Sequence, residues 1–195
     1  MRKSIKQNNK GFTLIETLVA VSIFSVSLIG ILSVLGSGIA DTNYAKRKMT
    51  ATYLAQEGIE YIRNVRDTYV LYATSLTKGW GEEDEEGTFI NKIKKCNLNG
   101  NNEGCGINNS VPMTQGNFIF KCTSNEKCNL SENNGNYYSN GNNSSTDPDS
   151  GFIRRIWMEE TVPGAEAKIF SKVEWKQGPI DHDITFSESL FNWTE

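Results

Sequence analysis

The sequence predicts an α+β protein in which a long amino-terminal helix packs on a carboxy-terminal antiparallel sheet. Three observations predict it. An apolar run extends from Phe12 to Ala40 with one ionisable side chain, Glu16. A stripe at alternating steps of three and four residues follows, and three strand-like stretches come after residue 151, separated by Pro163-Gly164 and Gly178-Pro179. With 195 residues the chain holds one ordinary domain and an additional segment.

The apolar run is longer than the roughly 20 residues that cross a bilayer. Arg2, Lys3, Lys6 and Lys10 precede it without an intervening acid. By the positive-inside rule they mark the cytoplasmic side. Lys46-Arg47-Lys48 beyond the run weakens that vote without reversing it. Three readings of the run compete. A secretory signal would be cut after Ala40, following the small residue Gly38, but an h-region is usually only 7–15 residues. A plain anchor is the second reading. Neither accounts for Glu16, because an ionised carboxylate in hydrocarbon costs roughly 2.5–3.5 kcal/mol even on insertion scales. A glutamate close to the headgroups can snorkel, which is the least demanding explanation of its position.

The third reading comes from resemblance. Lys10-Gly11-Phe12-Thr13-Leu14-Ile15-Glu16, followed by an apolar helix, resembles the amino terminus of type IV prepilins and pseudopilins. The likeness covers roughly Lys10 to Gly38. It implies a leader peptide of residues 1–11, cleavage after Gly11 by a prepilin peptidase, and N-methylation of the new terminal residue, Phe12. It also implies that Glu16, fifth in the mature chain, faces the terminal amine of Phe12 on a neighbouring subunit and sets the register of assembly. Many members carry a proline within the apolar helix. This chain has none before Pro112, and places Ser33, Gly36 and Gly38 late in the run, where a helix can soften.

Residues 12–40 therefore read as a transmembrane and assembly helix, and 41–74 as an amphipathic helix of the globular domain. Ala45, Met49, Thr52, Ala55, Ile59, Ile62, Val65 and Tyr69 are expected to share its core face. A continuous helix from Phe12 to about Ala73 would be roughly 90 Å long, its first half protruding from the globular part. Leu54–Asp67, "LAQEGIEYIRNVRD", also resembles the second half of this helix in V-type minor pilins and I-type pseudopilins.

Residues 75–150 are rich in Gly, Asn and Ser and read as a loop-rich variable region, with short apolar pieces at Thr88–Ile93 and Asn117–Lys121. The acidic run Glu82–Glu86 reads as a solvated loop. It and the pair Asp147 and Asp149 are only minor calcium candidates, since the spacing fits no EF-hand. Cys96, Cys105, Cys122 and Cys128 all lie beyond the apolar run, none in a CxxC, as suits disulfides in an oxidising compartment. Of three possible connectivities the sequence-nearest, Cys96–Cys105 and Cys122–Cys128, is expected.

Residues 151–195 read as an antiparallel β-meander with strands at 152–160, 167–176 and 183–193. In the second, Ala167, Ile169, Val173 and Trp175 alternate with Lys168, Lys172, Glu174 and Lys176, so one face is buried and one wet. The meander with its "VEW" strand again resembles V-type minor pilins.

No catalytic or cofactor motif is present: no GxGxxG with a following acid, Walker loop, HExxH or GxSxG. A single histidine, His182, excludes a multi-His metal site and reads as a surface loop residue. No catalytic residue, metal or cofactor is expected. The net charge of −3 argues against nucleic-acid binding. The resemblance implies a non-enzymatic subunit of a pilus, a type II secretion apparatus or a DNA-uptake machine. Its partners would be other pilin-like subunits, the prepilin peptidase and the cytoplasmic membrane, before a cell-surface or periplasmic filament forms. A membrane-anchored extracytoplasmic binding domain that never polymerises is the alternative, and a secreted enzyme with an unrecognised site is a third.

Overall fold

The computed structural model describes residues 11–72, 78–81, 85–98, 104–109, 111–113, 118–122, 128–139 and 148–192. It comprises two compact units, Met1–Ala45 and Lys46–Glu195. Helix α1, Leu14–Leu71, is continuous, as the absence of proline permits. Its carboxy-terminal part packs on an antiparallel sheet, an α+β arrangement.

In the first unit the apolar side chains are turned outward, Phe12 being 82% and Phe24 64% exposed. In the second, α1 buries Ala51, Leu54, Ala55, Gly58, Ile59, Ile62, Val65, Arg66 and Tyr69. The expected stripe thus holds from Ala55 to Tyr69 but drifts earlier. Ala45 is exposed, Thr52 is half-buried and Met49 is 61% exposed. The helix is seated at its start by Ala51 and Leu54 instead. Alanine and glycine contribute little to a hydropathy pattern, so a seam built on Ala51, Ala55 and Gly58 leaves a faint trace in sequence.

Among the described residues the sheet has seven strands: β1 Cys105–Ile107, β2 Ile119–Lys121, β3 Asn129–Asn133, β4 Asn136–Tyr138, β5 Asp149–Val162, β6 Glu166–Gln177 and β7 Ile180–Phe191. They run in the order β2-β1-β5-β3-β4, with β6 beside β5 and β7 beside β6, and every strand pairing is antiparallel. All three long strands start earlier than their apolar patterns; β5 and β6 also extend further, whereas β7 ends at Phe191, short of the expected 193. Trp193 lies outside the described residues. Strand β6 alternates buried and half-buried residues from Glu166 to Trp175, the half-wet strand its pattern predicts.

The core joins Ile59, Ile62, Val65 and Tyr69 of α1 to Ile156, Met158, Ala167, Ile169 and Leu190 of the sheet. Among the described residues of 75–150 lie strands β1–β4 and helix α2, Phe89–Lys94, which adds Phe89, Ile90 and Ile93 to the core. Thr88 caps α2 by accepting a hydrogen bond from the Asn91 amide at 3.3 Å.

His182 departs from expectation. It lies within β7 opposite Trp175, not in a loop, and its ring stacks on that indole at 5.4 Å. The turn at Gly178 begins β7 at Ile180, so the strand already includes the polar residues Asp181-His182-Asp183 that look like loop in sequence.

Candidate functional site

The amino-terminal segment carries the chemistry that the sequence singles out. Gly11 and Phe12 precede α1, and a Cβ added at Gly11 would meet no atom within 4 Å. Thr13 occupies the N-cap position and Glu16 the third position of the helix. The Thr13 amide and hydroxyl each donate to Glu16 Oε2 at 2.9 Å, while the Glu16 amide donates to Thr13 Oγ1 at 3.4 Å. This is a reciprocal capping box, which satisfies two otherwise orphaned helix-start amides. The positive end of the helix macrodipole favours the same carboxylate. Glu16 therefore has a local role that the sequence reading did not recognise, although Thr-x-x-Glu ahead of an apolar run is its signature.

The following helix is equipped for a hydrocarbon surround. Its most apolar 18-residue window has no buried residue. Most hydroxyl side chains within it are satisfied internally. Ser22 donates to the Leu18 carbonyl at 2.8 Å, Ser25 to Val21 at 2.8 Å and Ser27 to Ile23 at 2.9 Å. Thr17 donates to Leu14 at 2.8 Å in the same manner. Such back-bonding leaves no hydroxyl proton to be desolvated without a partner. The segment thus exposes an apolar surface on every side, with one carboxylate at its start.

Residues 6–39 match the prokaryotic N-terminal methylation motif.

The matched segment covers Lys6 and Lys10 of the basic leader, Gly11, Phe12, Glu16 and the apolar run as far as Ile39. It is consistent with the type IV prepilin and pseudopilin family and supports a type IV pilin-like prepilin, without a subtype. That family is structural, and the motif implies processing by a prepilin peptidase and other pilin subunits as partners. The exposed apolar helix fits membrane anchoring of a prepilin. No curated protein and no solved structure matches the chain. Beyond the methylation motif, the globular unit is read from its own residues. Arg2, Lys3, Lys6 and Lys10 lie outside the described residues.

All four cysteines are buried in disulfides, Cys96 with Cys105 and Cys122 with Cys128, at Cα separations of 5.0 and 5.6 Å. The first ties the end of α2 to β1. The second closes the segment between β2 and β3. Both staple the part of the sheet built from its shortest strands. Of the acidic candidates, 82–84 and Asp147 lie outside the described residues, and Glu85 and Glu86 are exposed. Asp149 accepts from the Gly151 amide at 2.9 Å, a local Asx contact at the start of β5.

Two buried arginines were not singled out by the sequence. Arg154, 2% exposed, donates to Glu57 Oε2 at 2.7 Å and to the Leu54 carbonyl at 3.2 Å, tying β5 to α1. Arg66 donates to the Asp67 carboxylate and to the Phe191 carbonyl at 3.2 Å. Arginine is seldom fully buried, so neither stands out as a core residue in sequence, and only the fold reveals them as inward-facing ties.

A cleft of about 570 Å³ lies over the sheet, lined by Ile153, Arg155, Glu174, Lys176 and Asp181 among others. Its ionic groups match one another. Arg155 meets Glu174 at 3.2 Å, Lys172 meets Glu174 at 2.9 Å, and Lys176 meets Asp181 at 3.5 Å. This is a cross-strand charge lattice that supports the sheet.

Proposed function

We propose that this chain is a structural subunit, a minor pilin or pseudopilin, of a type IV pilus-like filament. It is made as a prepilin, held in the cytoplasmic membrane by one helix with its amino terminus cytoplasmic, cut after Gly11 and N-methylated at Phe12. It then joins other pilin-like subunits in a cell-surface or periplasmic filament through the apolar helix. The observation that carries this reading is the exposed apolar helix that begins just after the Gly11–Phe12 junction and holds one acid in its first turn. An apolar surface of this length needs lipid or other helices around it. Leaving lipid for a helical bundle keeps it dry, and the pairing of Glu16 with the Phe12 amine of a neighbour then selects one register. Such a buried pair contributes specificity more than net stability.

Intact-mass analysis of the protein extracted from membranes tests the processing step. The expected mature chain starts at a methylated Phe12. A terminus at Met1 would indicate a plain anchor, and one at Asp41 a secreted protein. Gly11→Phe should leave an uncut precursor, because glycine permits close approach of the scissile backbone. A Cβ at Gly11 meets nothing within 4 Å, so this substitution acts on processing rather than on the fold. Normal maturation of Gly11→Phe would remove the peptidase reading.

A further inference from the structure

Strand β7 forms one edge of the sheet. Among the described residues it pairs with β6 alone. The twelve pairs from Glu166↔Phe191 to Gln177↔Ile180 run without a register shift. An edge this long, about 40 Å at the usual rise per residue, is a template for another strand. Natural edges are commonly blunted by a bulge, a proline or a lysine. Ile180–Phe191, "IDHDITFSESLF", contains none of these. Its charges Asp181, Asp183 and Glu188 are matched within the same copy by Lys176 at 3.5 Å, Lys172 at 3.8 Å and Arg63 of α1 at 3.1 Å. They therefore do little to repel an incoming strand.

The order of residues along β7 indicates what that strand is. We propose that β7 is an interface between two copies of this chain, paired antiparallel with β7 of a second copy about a two-fold axis at Thr185. In that register Thr185 meets Thr185, Ile184 meets Phe186, Asp183 meets Ser187, His182 meets Glu188, Asp181 meets Ser189 and Ile180 meets Leu190. Apolar residues face apolar residues, each aspartate faces a hydroxyl, and the imidazole faces a carboxylate. No like charges stand opposite each other. Cross-strand pairs of these kinds are the stabilising unit of a sheet.

Neighbouring registers that keep each side chain on its own face are poorer. Centring the axis on Ile184 sets Glu188 against Ile180 and His182 against Phe186. Centring it on Phe186 sets Glu188 against Ile184 and His182 against Leu190. A one-residue slip would turn the inward row outward. The Thr185 register alone satisfies both faces, as an isologous interface requires.

The two-fold axis reverses every element lying along the sheet, including the part of α1 packed on it. The globular units of the paired copies therefore run in opposite directions along the interface. The pairing does not rest on the filament reading.

The test uses the unprocessed full-length protein in detergent micelles, where no filament forms. Thr185→Cys, Asp183→Cys and Ser187→Cys each place a thiol at an exposed position of β7. Under mild oxidation Thr185→Cys should form a disulfide-linked dimer about tenfold faster than either other variant alone, a factor of ten corresponding to about 1.4 kcal/mol of register preference. Mixing Asp183→Cys with Ser187→Cys should restore rapid crosslinking, since those two positions face each other. Equal rates for the three single variants, no gain on mixing, or no dimer at all would overturn the proposal and leave the filament reading untouched. Correct crosslinking from a protein that never enters a filament would still support the pairing.

Discussion

Gly58 of α1 lies directly against Ser171 of β6. A Cβ on Gly58 would fall within van der Waals overlap of the Ser171 hydroxyl oxygen, and 3.2 Å from both Ser171 Cβ and Ile156 Cδ1. The helix can approach the sheet here only because residue 58 has no side chain. Gly58→Ala should therefore destabilise the domain by about 1–3 kcal/mol, the usual cost of overpacking. This outweighs the gain of roughly 1 kcal/mol from alanine's helix propensity. Denaturant unfolding checks the single variant. Adding Ser171→Ala should recover part of the loss, because it removes the nearest atom together with a buried hydroxyl oxygen that has no hydrogen-bond partner among the described residues. Strictly additive effects would show that the two residues do not press on each other.

Tyr61 offers a test by pH. Burial pushes its hydroxyl up to about 12, against a smaller lowering by Arg154. Below about pH 10 both folded and unfolded chains keep this proton. Above it the unfolded chain ionises first, so the contribution of Tyr61 falls as pH rises and is lost by about pH 12. Burial also raises Tyr69 and Tyr137, the latter with help from Glu132, so the alkaline loss is shared. Tyr61→Phe should flatten the decline in this range. It should cost little at neutral pH, because the buried Tyr61 hydroxyl has no hydrogen-bond partner among the described residues. An unchanged alkaline slope would contradict the assignment.

The disulfides close short loops, with sequence separations of 9 and 6 residues. In the chain-entropy model each would contribute about 2–3 kcal/mol. Peptide mapping without reduction should recover Cys96 linked to Cys105 and Cys122 linked to Cys128. Fragments joining either member of the first pair to either member of the second would show the connectivity to be different. Reduction should loosen β1–β3 before the long strands, as seen by faster amide exchange at Ile107 and Leu130 than at Val173.

The α+β arrangement was legible because both of its periods are clear. The stripe Ala55-Ile59-Ile62-Val65-Tyr69 repeats as a helix, and Ala167 to Trp175 alternates as a strand. What escaped notice depends on contacts rather than period. Met49 looks like a core residue yet is exposed, because the seam shifts onto Ala51 and Leu54. Arg154 shares the alternation of Phe152, Ile156 and Met158, but that pattern does not show that it bonds to Glu57 and the Leu54 carbonyl, which lie about a hundred residues away in sequence. His182 resembled a loop residue because two aspartates flank it. Within the candidate site, Gly11, Phe12 and Glu16 were legible from a local pattern. Thr13 carried an equally local signal, the capping box, hidden by the attention that a lone acid in an apolar run attracts.

Glu16 bears most directly on the central claim, because two physical roles for it make different demands. As a helix cap it needs an acceptor for the Thr13 amide, which Gln supplies as well as Glu. As the partner of a neighbouring Phe12 amine it needs a negative charge. Glu16→Gln separates the two, whereas Glu16→Ala removes both. The decisive measurement is the fraction of wild-type, Glu16→Gln and Glu16→Ala protein recovered in sheared filaments relative to membranes, with insertion and cleavage after Gly11 followed in parallel. The filament account predicts that both variants insert and are at least partly cut. It predicts that both are then sparse or absent in filaments, since an amine left without its buried partner costs about 3–5 kcal/mol. Incorporation of Glu16→Gln equal to wild type would contradict it, reducing Glu16 to the cap of its own helix.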